Sequence, residues 1–242
     1  MNSEVEFRDL GRMDYSEAWD YQEKLLAEVQ RRKLSPDTGR NRQNTAGYLL
    51  FVEHPHVYTI GKSGKKDNLL IPEEQLKREK IGFYHIDRGG DITYHGPGQI
   101  VGYPVFDLDI LGIGVKKYIY LLEESVIRTL ARLGLSAQRL DGTTGVWMHT
   151  GKNEIPQKIC AIGVRVSRGV TMHGFAFNVN TDLHYFTYIN PCGFTDKGVT
   201  SIAGETGREA DMEAVKTILK DNILAVFGIT RARESVWKNT GI

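Results

Sequence analysis

The run Arg88-Gly89-Gly90-Asp91-Ile92-Thr93-Tyr94-His95-Gly96-Pro97-Gly98-Gln99 constrains this chain more than any other feature. It sets four glycines, a proline, an arginine and a histidine between two strand-like runs, 82–87 and 100–106. Glycine permits positive φ and close backbone approach, and elsewhere it costs conformational entropy. Two readings follow: an elaborate hairpin, or a backbone cradle for a substrate. Turn chemistry alone leaves both open.

The flanking elements set the fold class. Residues 17–32 read as a helix, with Trp19, Leu25, Leu26 and Val29 on one stripe. Residues 47–53 and 57–60 are strand-like. Pro72 opens a short helix through Glu79. Residues 115–133 are amphipathic, with Val115, Ile119, Leu122, Val126, Leu130 and Leu133 at helical steps and Gly134 as the cap. Strands over 159–166 and 171–179 are joined by a turn at Ser167-Arg168-Gly169. A last helix is expected from about 208 to 227, opened by a Thr206/Glu209 capping box and stopped by Gly228. This irregular alternation predicts an α+β fold with a mixed, largely antiparallel sheet flanked by helices. No linker, repeat or low-complexity run divides the 242 residues, so one domain over 1–242 is expected, with 31–44 as a polar surface loop.

Charge and cysteine content exclude several roles. Lys and Arg number 31 against 30 Asp and Glu, a net charge of +1, so no global field draws the chain to nucleic acid or membrane. No apolar run reaches the length of a membrane span. The start, Met1-Asn2-Ser3-Glu4-Val5-Glu6, lacks the order of a signal peptide. Two cysteines suit a reducing compartment, and the expected location is cytoplasmic.

Cys192 sits in a Pro-Cys-Gly turn outside any apolar element. It is either a small hydrophobe in a loop pocket or a nucleophile, which would need a nearby cation to lower its pKa. Cys160 lies in a strand apolar on both faces, where a thiol is inert packing. Lys158, at the start of that strand, points to water or is held beside a thiol. His95 is a turn residue or a substrate contact. Lys62, Lys65 and Lys66 form a basic cluster, either solvated or facing an acidic partner. Gly61-Lys62-Ser63 fails as a phosphate loop, because His56 stands where a glycine is required. His54-Pro55-His56 lacks the companions of a zinc set, and no metal site is expected.

The segment RGGDITYHGPGQIVGYPV resembles the signature of the octanoyl-carrier-protein:protein N-octanoyltransferases, which begin lipoate synthesis. Further blocks keep that family's order: 51–61, Gly145-Val146-Trp147, 158–165, 172–178, Pro191-Cys192-Gly193-Phe194 and Val199-Thr200-Ser201. The resemblance implies the fold of biotin and lipoate protein ligase catalytic domains. It implies that Cys192 is the acyl-thioester nucleophile and that Lys158 lowers its pKa. It implies a substrate loop of Arg88, Gly89, Gly90, Asp91, Ile92, Thr93, Tyr94 and His95, with further contacts at Ala161, Ile162, Gly163, Gly174, Phe175 and Ala176. The implied donor is octanoyl-acyl carrier protein. The implied acceptors are lipoyl domains of 2-oxoacid dehydrogenase complexes and the glycine cleavage H protein. No cofactor is expected, because a thioester is already activated. Two rivals share the fold or the site: an ATP-dependent lipoate or biotin ligase, and a catalytically idle acyl- or carrier-binding module.

Overall fold

The computed structural model describes residues 3–34, 45–148, 155–190 and 197–235. Twelve strands and six α-helices follow one another among them. They are β1 (Ser3–Arg12), α1 (Tyr15–Leu34), β2 (Thr45–Glu53), β3 (Val57–Ile60), α2 (Glu73–Arg78), β4 (Gly82–His85), β5 (Ile92–His95), β6 (Gln99–Phe106), α3 (Leu108–Leu111), α4 (Val115–Arg132), β7 (Ala137–Gln138), β8 (Val146–Met148), β9 (Gln157–Ser167), β10 (Val170–Asn178), β11 (Gly198–Val199), α5 (Ile202–Thr206), α6 (Met212–Phe227) and β12 (Ile229–Glu234). The main sheet has the order β12-β1-β2-β6-β10-β9-β8-β7, and β11 adds to β9. Its pairs from β2 to β7 are antiparallel; β1 pairs in parallel with β2 and β12, and β11 with β9. The expected α+β class, with a mixed and largely antiparallel sheet, is what forms. No helix among the described residues is long and apolar enough to cross a membrane.

Both faces of the main sheet are covered, which is why its central strands read as unbroken apolar runs rather than alternating ones. In β2, Leu49 and Phe51 join the core under α4 and α6, while Tyr48, Leu50 and Val52 join the core under α1. Strand geometry sends successive side chains to opposite faces, so one run supplies two cores. Leu122, Val126 and Leu130 of α4 are buried as expected, but Val115 is 40 % exposed and Tyr118 and Leu121 carry the inner stripe instead.

The β9–β10 hairpin turns at Arg168 and Gly169, with φ of 51° and 76°. Two positive φ values in a two-residue loop match the twist of the flanking strands.

Two local expectations need correction. The last helix begins at Met212, not near 208. Gly207 adopts a left-handed conformation and ends α5, so the chain re-enters a helix only at Asp211, whose carboxylate accepts from the N–H groups of Glu213 and Ala214. Thr206 instead bonds back to the carbonyls of Ile202 and Arg208. Helix α1 also extends to Leu34, so the start of the expected 31–44 loop is helical; the rest of that segment lies outside the described residues.

The glycine-rich run is not a hairpin between its flanking strands. β4 pairs in parallel with β3, and β5 pairs antiparallel with β3, forming a separate sheet of order β4-β3-β5. β6 belongs to the main sheet. Residues 86–98 therefore carry the chain from one sheet to the other and contain β5 on the way.

Candidate active site

A cavity of about 380 Å³ opens between the main sheet and this crossing segment. Arg88, Gly90, Asp91, Ile92, Thr93 and His95 line it from the segment, and Ala161, Ile162, Gly163, Gly174, Phe175 and Ala176 from β9 and β10. Lys158 also lines it. The sheet register explains the shape. Ala161 lies opposite Ala176, and Gly163 opposite Gly174. Small residues at adjacent positions of neighbouring strands leave a trough that larger side chains would fill.

Glycines on both sides let the segment lie close. A Cβ on Gly61 would come 2.4 Å from Gly90 O, and one on Gly163 would come 2.9 Å from Gly89 O and 3.0 Å from Arg88 Cδ. Lys62 N donates to Arg88 O at 3.0 Å, Ser63 N to Gly90 O at 3.2 Å, and Gly89 N to Val164 O at 2.9 Å. Gly89 thus spends its N–H on the sheet and does not line the cavity. The buried Arg88 guanidinium donates to Thr59 O and Thr59 Oγ1 at 2.9 and 3.0 Å.

Tyr94 also faces away. It is fully buried in the core of the smaller sheet, stacked on Tyr185 with ring centroids 5.0 Å apart, and its hydroxyl meets His56 Nδ1 at 2.7 Å. Its neighbour His95 takes the opposite face of the short strand β5. Gln99 Oε1 accepts from His95 Nδ1 at 2.9 Å, which leaves Nε2 as the acceptor side toward Thr59 Oγ1 at 3.4 Å. Gln99 Nε2 in turn donates to Asn178 Oδ1 at 2.9 Å, tying the loop to β10.

His54 is enclosed behind this layer. Its Nδ1 donates to Met13 O at 2.8 Å, and Tyr103 Oη donates to its Nε2 at 2.7 Å. Both nitrogens are occupied, so the histidines around Pro55 are packing and hydrogen-bonding groups. Burial pushes the His54 pKa down to about 4 and that of His95 down to about 3. Both are neutral near pH 7. The unfolded chain binds protons that these imidazoles refuse, so their stabilising share is complete above pH 6.5 and drains as pH falls. For His54 the interval from 6.5 to about 4 corresponds to about 3 kcal/mol. Thermal unfolding from pH 7 to 4 should therefore be flatter in His54→Gln than in the wild type; parallel slopes would contradict this.

His173 falls in the 172–178 block, which gives it no role of its own. It lines the cavity with φ of 57°, a left-handed conformation rare for a non-glycine residue in a strand. Gln22 Oε1 of α1 accepts from its backbone N–H at 3.0 Å, and its Nε2 meets Asp87 Oδ1 at 3.0 Å. Arg165 bridges the other Asp87 oxygen and Glu23 at 2.7 and 2.6 Å. This chain of charges locks the crossing segment to β9, β10 and α1. Burial lowers the His173 pKa, against the pull of Asp87.

At the other end, the Lys158 ammonium lies 4.6 Å from the centroid of the Trp147 ring. Gly145, with φ of 120°, leaves a slot for the lysine stem: a Cβ there would be 2.6 Å from Cys160 O and 3.4 Å from Lys158 Cε. The Gly145 N–H donates to Glu123 Oε1 at 3.0 Å, and Arg139 holds the other Glu123 oxygen at 3.0 Å. Cys160 is fully buried in the main core, and burial drives its thiol pKa far above the usual range despite the nearby Lys158 charge. Cys192 and the turn expected at Pro191-Cys192-Gly193 lie outside the described residues. The chain beyond them returns as β11, where Val199 pairs with Lys158 and Thr200 N donates to Lys158 O at 3.0 Å.

The fold defines the class. The chain superposes with a TM-score of 0.68 on a bipartite lipoate protein ligase from Thermoplasma acidophilum, described with its E2 lipoyl domain, over 98 % of this chain and 88 % of that one. It superposes with a TM-score of 0.64 on lipoate-protein ligase A bound with ATP, over 98 % and 90 %. Both are 16 % identical, so the likeness is one of fold. The chain belongs to the lipoyl protein ligase A/B catalytic domain family, whose model matches residues 14–224. Curated relatives are much nearer in sequence. A protein of Parabacteroides distasonis named octanoyltransferase is 53 % identical over 91 % of this chain and 97 % of its own length. One of the same name from Flavobacterium johnsoniae is 51 % identical over 94 % and 98 %.

Proposed function

We propose that this chain is an octanoyltransferase that moves an octanoyl group from a carrier-bound thioester to a lysine of an apo lipoyl domain. The observation that carries the reading is the pairing of β11 with β9 at Lys158, which brings the chain segment that follows Cys192 beside a cation that lines the cavity. The Cys192 thiolate attacks the thioester carbonyl; the carbon–sulfur bond to the carrier breaks, and the carrier leaves as a thiol. The acceptor lysine, as the free amine, then attacks octanoyl-Cys192. The amide forms, the Cys192 thiolate departs, and Lys158 relays the protons. The thioester carries the activation, so no ATP is consumed.

The donor is octanoyl-acyl carrier protein, and the acceptors are lipoyl domains of 2-oxoacid dehydrogenase complexes and the glycine cleavage H protein, all in the cytoplasm. Lys62 and Lys65 are the carrier-facing cations, because their loop is hydrogen-bonded directly beneath Arg88 and Gly90; Lys66 is held by Glu73 at 2.5 Å. The cavity suits an acyl tail, which gains about 0.8 kcal/mol for each methylene buried. Intact-protein mass spectrometry tests the reading. Octanoyl carrier protein without ATP should leave one octanoyl group on the chain, and an apo lipoyl domain should remove it. A ligase would need ATP, and an idle module would show neither step.

Gly163→Ala tests the cradle. Gly163 lies in an ordinary strand conformation, whereas Gly90 has φ of 90° and any side chain there adds backbone strain. The new methyl group meets Gly89 O and lifts the loop from the trough. Single-turnover acylation should fall at least about tenfold, or about 1.4 kcal/mol, with a small loss of thermal stability. Normal acylation would reduce the loop to architecture.

A further inference from the structure

One ring faces two cavities. Tyr15, the first residue of α1, lines the 380 Å³ cavity on one side and a second cavity of about 220 Å³ on the other. The second cavity is walled by Val57, Leu76, Ile81 and Tyr84, among others, none of which lines the first. Tyr15 is held as a partition between stacked neighbours. His95 lies on the first-cavity side, 5.8 Å away at 14°, and Tyr84 on the second-cavity side, 5.4 Å away at 29°. The ring is 2 % exposed.

This partition stands at the end of the trough remote from Lys158. Tyr15 packs on His54 at 5.2 Å, and His54 is bonded to Tyr103. Tyr103 follows Gly102, which lies opposite Phe175, and Phe175 lies opposite Ile162. From Lys158 to Gly163, where Arg88 and Gly89 cross the sheet, is five steps of β9, or about 17 Å between backbones, and the lysine stem, which passes Gly145 on the Cys160 side, covers part of that distance. An acyl chain bound as a thioester beside Lys158 and laid along Ala161 and Ala176 therefore runs toward Tyr15.

We propose that Tyr15 sets the acyl-chain length this enzyme accepts, by closing the acyl channel against the second cavity. The inference rests on the octanoyltransferase reading. An apolar trough gains affinity with every methylene and discriminates poorly between neighbouring lengths, so an upper limit needs a wall. The Tyr15 ring is the wall. Val57, Leu76 and Ile81 behind it offer apolar surface to a longer tail once it is removed.

The test measures single-turnover acylation by octanoyl, decanoyl and dodecanoyl carrier proteins. Tyr15→Ala should raise the dodecanoyl-to-octanoyl rate ratio at least about tenfold, the equivalent of two more buried methylenes. Tyr15→Phe keeps the ring and should keep the wild-type ratio. Tyr15→Leu, which retains apolar packing at the start of α1, serves if the alanine variant unfolds, and the ratio should move the same way. A ratio unchanged in the alanine and leucine variants, with all three rates falling together, would overturn the proposal. A wild-type protein that takes no octanoyl group from the carrier would instead overturn the octanoyltransferase reading itself, and this inference with it.

Discussion

Cys192→Ala abolishes both the octanoyl adduct and transfer to the lipoyl domain, while Cys160→Ala keeps most of each: this is the expected result with the largest effect. Cys160 has no exposed surface and sits among apolar side chains; its thiol pKa is driven up by burial, so at neutral pH it holds its proton. Removing its sulfur touches packing alone. Cys192 stands in the Pro-Cys-Gly sequence between Asn190 and β11, and β11 pairs with the strand that carries Lys158. A free thiol is only a few per cent thiolate near pH 7, and a neighbouring cation raises that fraction. Peptide mapping of the trapped adduct decides the matter. An octanoyl group on Cys160, or an adduct surviving in Cys192→Ala, would overturn the assignment.

Lys158→Ala should cut acylation at neutral pH at least about tenfold, or about 1.4 kcal/mol. Raising the pH should restore much of it. A cation and a thiolate 4 Å apart attract by about 4 kcal/mol at an effective dielectric near 20, before desolvation is subtracted. Even a third of that moves a thiol pKa by about one unit. Without the lysine that help is lost, and hydroxide must make the thiolate. The fold should survive, because Lys158 lies at the end of β9 and its ammonium rests on the Trp147 ring rather than in the core. Lys158→Arg keeps the charge and should keep part of the low-pH rate, although the planar guanidinium does not fit the slot beside Gly145 as the lysine stem does. The discriminating measurement is thiol alkylation against pH. Equal rates at pH 7 in wild type and Lys158→Ala would remove Lys158 from the activation of the thiol.

The parts of this protein that were legible in sequence are those that local rules control. The periodicity of α4 and the left-handed glycines at 134 and 228 mark helix bodies and ends, and the Ser167-Arg168-Gly169 turn marks the β9–β10 hairpin. The cavity-lining runs 161–163 and 174–176 are contiguous, so one motif names three neighbours at once. Tertiary structure alone decided the rest. The fate of the glycine-rich run turned on β3, which captures both β4 and β5 from outside the segment; no pattern within 82–106 encodes that partner. Period-2 alternation separates Tyr94 from His95, but it does not say which face meets the cavity and which the smaller core. Tyr15 and Glu123 carry no motif signal of their own, and His173 falls in a family block that gives it no role. Tyr15 acquires its place from two aromatic rings distant in sequence, His173 its strained backbone from Gln22 on another element, and Glu123 its buried charge from Arg139 and the Gly145 N–H. Local sequence controls which way a side chain points from its own element. What covers that side chain is set by pairings between distant segments, and there burial, charge compensation and the closed end of the channel were decided.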